Sequence, residues 1–169
     1  MIDLLHDFRE HGAEAPFFLH ARLERQQVAA LIDKGYLSRL EHTPAGPLLV
    51  LGARGRQLLS LSLSYRTPPE VAADQFFRRR VLAELASWGF VYLAKSASCR
   101  DLVVLRGPTG RRSYLLARWR ALRAGQVARV LAALKPRLLA DEGVLLVRAD
   151  SPRRLSALSR RSAGLVELI

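Results

Sequence analysis

Residues Phe18 to Leu59 read FLHARLERQQVAALIDKGYLSRLEHTPAGPLLVLGARGRQLL, and the order of apolar runs and breakers in this stretch decides the fold of the first part of the chain. Leu19, Leu23, Val28, Leu31 and Ile32 recur at helical spacing; the last three lie three and four apart, on one helix face. Gly35 supplies the positive φ that ends a helix without steric cost. Ser38 to Glu41 and Pro47 to Leu51 then read as two short strands. Thr43-Pro44-Ala45-Gly46 between them carries the punctuation of a hairpin loop. Gly52-Ala53-Arg54-Gly55-Arg56 opens a further helix carrying Leu58 and Leu59.

This order resembles the winged helix-turn-helix domains of prokaryotic DNA-binding proteins. The pattern L-x-x-x-G-[YL]-L that closes their recognition helix is matched by Leu31-Ile32-Asp33-Lys34-Gly35-Tyr36-Leu37. The G-x-x-x-L that starts the helix after the wing is matched by Gly55-Arg56-Gln57-Leu58-Leu59. The resemblance covers about the first third of the chain and implies a recognition helix beginning near Glu24. Arg25 and Gln26 at its start are the residues implied to reach guanine and adenine edges, with Arg22 in the approach. Arg39, His42 and Thr43 are implied to lie on the wing, and Arg54 and Arg56 to hold a phosphate beside the following helix.

Half of the 169 residues are hydrophobic and a quarter are charged, so a packed core is expected and disorder is not. No apolar run approaches the ~18 residues of a membrane span, and Met1-Ile2-Asp3 carries no basic leader. A soluble, cytoplasmic, nucleoid-associated protein with no membrane partner is expected. Cys99 is single, which excludes an internal disulfide and a thiolate cluster. The formal net charge is +12, and the basic side is 24 Arg against 3 Lys. Guanidinium forks bind phosphate bidentately, so the balance suits a nucleic-acid partner. The charge is uneven: residues 1–69 hold 8 basic and 7 acidic groups, residues 70–169 hold 19 and 8. The positive field belongs to the second part.

Ahead of the opening stretch, Leu4, Leu5 and Phe8 share one face of a helix from Ile2 to His11, and Gly12 ends it. Ala15-Pro16 starts the second helix, where proline's missing N–H is not needed. Leu58 to Tyr65 alternates leucine with serine, which fits a strand or a helix tail equally. Arg66-Thr67-Pro68-Pro69 reads as the domain boundary, giving domains 1–66 and 67–169. The second part opens with a helix from Glu70 to about Trp88 bearing the Arg78-Arg79-Arg80 triplet. A helix spreads that run around its circumference, leaving Arg78 and Arg79 as phosphate contacts on a partly solvated face. Strands follow at Phe90 to Ala94, Asp101 to Arg106 and Ser113 to Trp119. Then come a helix (Gln126 to Ala140), a strand (Val144 to Val147), a short helix from Ser151 to near Arg161, and a last strand (Gly164 to Leu168). Strands connected through helices at the end imply a mixed sheet with helices on its faces.

The α-β-β-β-α-β-α-β order resembles the core of the PD-(D/E)xK nuclease superfamily. Joined to a winged helix, it resembles the plasmid replication-relaxation proteins across almost the whole chain. The nuclease pattern implies an Asp at the start of its second strand, where Asp101 stands, and Glu-x-Lys on the third. Ser113-Tyr114-Leu115-Leu116-Ala117-Arg118-Trp119 contains no acid, so the metal-holding set is incomplete. Asp101 is expected to pair with a nearby arginine instead. Gly107-Pro108-Thr109-Gly110 has the wrong spacing for a phosphate loop and reads as a hairpin turn. His6, His11, His20 and His42 lack metal-ligand spacing, and no nucleophile elbow is present. No catalytic residue, metal or cofactor is assigned.

Arg100, Arg106, Arg111, Arg112, Arg118, Arg120 and Arg123 make the densest basic cluster, and Arg100, Arg111, Arg112, Arg118 and Arg120 of it complete the expected phosphate surface. The fold class expected is α/β (α+β): an N-terminal winged helix-turn-helix followed by a small mixed-sheet nuclease-like domain. The function expected is non-enzymatic binding of double-stranded DNA as a homodimer. The role would be regulation of replication, maintenance or transcription of a plasmid, phage or genome locus. The alternatives are a Mg-dependent nuclease using Asp101 with an acid such as Glu84, and a protein-interaction module of a DNA-processing complex.

Overall fold

A computed structural model describes residues 1–96, 99, 101–119, 122–149, 162 and 164–169; Arg100, Arg120 and the short helix expected over Ser151 to Arg161 lie outside these. Among these residues the protein is a mixed α/β chain with one two-stranded and one five-stranded sheet. Its residues divide into two compact units, Met1–Arg79 and Arg80–Ile169.

In the first unit α1 (Ile2–His11) ends at Gly12, whose φ of 83° turns its amide back to the Phe8 carbonyl at 2.9 Å. Pro16 opens α2 (Pro16–His20), and a short turn leads to α3 (Arg25–Asp33). Glu24 precedes α3, and its amide donates to Gln27 Oε1 at 3.1 Å, which satisfies one donor the helix start leaves open. Gly35 takes a φ of 72° and releases the chain into β1 (Leu37–Leu40), which pairs antiparallel with β2 (Leu48–Leu51). Glu14 forms an isolated bridge with Leu49, laying a third segment along the hairpin. Leu5, Phe8, Leu19, Val28, Leu37, Leu49 and Leu59 close into one core. Each fully buried leucine among them contributes roughly 1.5–3 kcal/mol from apolar surface removed from water.

Helix α4 (Ala53–Leu58) starts directly after Gly52, within the Gly52–Arg56 stretch expected to open it. Both Gly52 and Gly55 are needed for close approach. A Cβ at Gly52 would strike the Gly35 carbonyl, and one at Gly55 the Tyr36 carbonyl. The helix start is tied to the same turn, with Gly52 N donating to Tyr36 O at 2.9 Å and Arg54 N to Gly35 O at 3.0 Å. The leucine–serine alternation after Leu58 forms neither strand nor helix: Ser60 adopts a φ of 54°, and the chain runs irregularly to α5 (Pro69–Ser87). Pro68 and Pro69 lead into that helix rather than parting the units. The first half of α5 carries Ala72, Ala73 and Phe76 into the first unit, and its second half carries Val81 and Leu85 in the other.

The second unit is built on the sheet order β3-β4-β5-β6-β7. Strands β3 (Val91–Lys95), β4 (Leu102–Arg106) and β5 (Arg112–Arg118) run antiparallel, while β6 (Leu145–Ala149) and β7 (Val166–Leu168) continue parallel from β5. The Gly107–Gly110 segment is the hairpin turn, closed by Gly107 N to Arg111 O at 2.8 Å. A parallel step needs a crossover, and α6 (Ala124–Ala140) supplies it between β5 and β6. Val127, Leu134 and Leu138 of α6 pack on Leu102, Tyr114, Leu116, Leu145 and Val147. Ser113 to Ala117 are all buried, as expected for a strand covered on both faces.

Candidate nucleic-acid interface

A phosphate contact requires a cation that reaches solvent and is not already spent on a carboxylate, and the arginines divide sharply on that test. Arg79 fails it. Its guanidinium is buried, donating from Nη1 to Asp7 Oδ2 at 2.8 Å and to Glu14 Oε2 at 3.3 Å, and from Nη2 to the Gly12 carbonyl at 3.1 Å. It also lies 5.5 Å from the Phe8 ring centroid. Arg79 is thus a structural pin of the first unit rather than the phosphate contact expected from the triplet. Arg78 is buried as well and offers no solvated face.

Other expected contacts are turned inward or neutralised. Thr43 builds the β1–β2 turn, its hydroxyl donating to the Gly46 carbonyl and accepting from the Ala45 amide at 3.2 Å. Arg56 donates from Nε to the Ser62 carbonyl at 2.7 Å and lies 5.1 Å from the Tyr65 ring centroid, so it holds the irregular segment down. Arg22 shares Asp7 at 3.5 Å, and Arg39 meets Glu41 at 2.9 Å. These two remain solvated, and surface pairs of this kind contribute only ~0–1 kcal/mol, so either can exchange its acid for a phosphate. Arg25, Gln26, His42 and Arg54 are exposed, and among the described residues no carboxylate pairs with Arg25 or Arg54.

In the hairpin cluster of the second unit Arg118 is held by a partly buried acid, whereas Arg111 and Arg112 make solvated pairs of the same weak kind as Arg39. Arg111 meets Glu142 at 2.7 Å, Arg112 stands 3.9 Å from Asp141, and Arg118 is bound to Asp101. Asp101 is therefore the arginine-paired strand-start residue that the sequence pattern suggested, and Glu84 stands 3.6 Å from Arg148. Among the described residues no three His, Cys, Asp or Glu side chains gather in a way that could hold a metal ion.

Besides Arg25, Arg54 and the exposed Arg106 of β4, charge that no described carboxylate answers lies on α6, which the sequence reading passed over as a crossover helix. Gln126, Arg129, Ala133 and Arg137 follow one another at steps of three, four and four, forming a single stripe beside the buried Val127/Leu134/Leu138 face. Arg129 and Arg137 are exposed, and among the described residues neither has a carboxylate partner. Arg123 at the helix start and Lys135 on the other flank are in the same condition. The signal was available as spacing, because the stripe flanks the apolar one at the same helical period. Residues 80–169 hold 17 basic and 6 acidic groups against 10 and 9 in residues 1–79. Asp101, Asp141 and Glu142 each meet an arginine of the hairpin or β5, and no described carboxylate pairs with Arg129 or Arg137.

Among the described residues no helix is long and apolar enough to cross a membrane. No family model, no curated protein and no solved structure matches the chain.

Proposed function

We propose that the protein binds double-stranded DNA without cleaving it, gripping the phosphates through the α6 arginine stripe and steering with α3. The observation that carries this reading is the pair Arg129 and Arg137, exposed on one helix flank and with no acid partner among the described residues, in a unit whose formal charge is strongly positive. Eight residues of helix separate them by about 12 Å, comparable to the width of a major groove. Arg25 and Gln26 at the start of α3 supply the side chains suited to guanine and adenine edges. The α1–α2–α3 order, the β1–β2 hairpin and the Glu14 strand bridge support a winged-helix reading of the first unit. A homodimer would set two such helices about 34 Å apart, one turn of DNA, as suits a regulator of replication, maintenance or transcription on a plasmid, phage or genome locus.

The test is a salt-titrated duplex-binding assay. The logarithm of the association constant should fall linearly with the logarithm of salt concentration, and the double substitution Arg129→Ala/Arg137→Ala should flatten that slope by about 2. A purified protein that ignores duplexes at low ionic strength overturns the reading.

A further inference from the structure

Beneath the α6 stripe lies a pocket of about 380 Å³, within the ~300–1,000 Å³ range of small-ligand sites. Its two halves differ in chemistry. The floor is apolar, with Leu102 of β4 and Leu134 of α6, and the rim is cationic, with Arg118, Arg129 and Arg137 beside the Gln126 amide. No carboxylate lines it among the described residues. Gln126 Oε1 accepts from the Arg123 amide at 3.1 Å, so the amide N–H groups of Gln126 remain as donors. Asp101 holds one end of the Arg118 guanidinium while its Nε is buried with no acceptor.

We propose that this pocket takes one nucleotide unstacked from a nucleic-acid strand, its base on the apolar floor and its phosphate on the arginine rim. The inference rests on the DNA-binding reading and goes further, to a preference for DNA with an unpaired position. The occupant follows from chemistry: an anion alone would waste the floor, and an apolar ligand alone would leave three guanidiniums over it. The same Arg129 and Arg137 that meet the backbone outside form the pocket's entrance, so the duplex itself delivers the ligand. Guanidinium planes stack on bases as well as binding phosphate.

The experiment compares a blunt duplex with the same duplex carrying one unpaired adenosine, by fluorescence anisotropy with the full chain. The unpaired form should bind about 10-fold more tightly, the scale of seating one base. Ala133→Trp, which fills the pocket from an exposed helix position, should bring the ratio of the two affinities to about 1. Gln126→Glu keeps the helix-start acceptor while placing an anion on the rim, and should lower the ratio likewise. Equal affinities in the unsubstituted protein overturn the pocket proposal and leave duplex binding standing. Binding of free dAMP at the pocket without any gain from the unpaired duplex also overturns it, assigning the site to free nucleotides. Failure to bind either duplex removes the DNA-binding reading and this one with it.

Discussion

Arg79 and Asp7 are joined by a hydrogen bond of 2.8 Å across 72 residues of sequence, with Glu14 completing the buried cluster. Asp7 belongs to α1, Glu14 to the segment that bridges the hairpin, and Arg79 to α5, so one guanidinium fastens three separate segments of the first unit. Removing it takes a charge partner from Glu14, which is 3% exposed, and from Asp7 at once. Arg79→Ala should therefore destabilise the first unit by about 3–5 kcal/mol, read as a lower urea midpoint. The salt slope of duplex binding should stay unchanged in the folded protein, because a buried cation releases no counterions. A flattened slope without loss of stability would return Arg79 to the DNA-binding surface.

The turn after α3 makes a second prediction. Gly52 and Gly55 let α4 press against the carbonyls of Gly35 and Tyr36, so either glycine to alanine forces backbone apart. Gly52→Ala and Gly55→Ala should each cost about 1–3 kcal/mol of stability. Gly125, which has open space around its Cβ position and lies in α6, is the contrast: Gly125→Ala should stabilise by about 0.5–1 kcal/mol. Thermal unfolding of the three variants reads the difference in sign.

These cases show where local pattern suffices and where it stops. The bounds of α1 and the hairpin were legible because Leu4, Leu5, Phe8 and the glycines at 12, 35 and 46 each state a local requirement of period or positive φ. The sheet was legible as a mixed one because the sequence pattern sets helices between its last strands, and parallel pairing needs such crossovers. The division of the chain was not, because α5 changes its buried side midway. Ala72 and Phe76 lie on one face, Val81 and Leu85 nearly opposite, and no single stripe marks either end. The arginine roles were least legible. Whether a guanidinium is free depends on acids far along the chain, as with Arg79 and Asp7, or across a strand, as with Arg118 and Asp101. Counting charges weighted the Arg100–Arg123 cluster and passed over α6, where fewer cations stand but no described acid pairs with Arg129 or Arg137.

On the winged-helix reading, the first unit and α6 should fail differently when altered. Arg25→Ala and Gln26→Ala should each cost about 1–3 kcal/mol on a selected target sequence and almost nothing on random duplex. Arg129→Ala should weaken both to the same degree, because phosphates carry no sequence. Binding-site selection with each variant checks this. Uniform weakening from Arg25→Ala would place that residue on the backbone instead.

Asp101 offers the sharpest separation between binding and cleavage. A nuclease would need its carboxylate for a metal ion, so losing it would abolish cutting. Here the carboxylate is engaged by Arg118, whose side chain is 27% exposed, and it holds down part of the positive field. Asp101→Asn removes that anion while keeping an oxygen to position the guanidinium. Duplex affinity should therefore rise by a factor of about 2–5 at low salt, the scale of one partly screened charge pair. The gain should fade as ionic strength increases. Supercoiled plasmid incubated with Mg²⁺ or Mn²⁺ should remain intact with either protein. Cutting by the unsubstituted chain that disappears in Asp101→Asn would make the Asp101–Arg118 pair part of a catalytic centre.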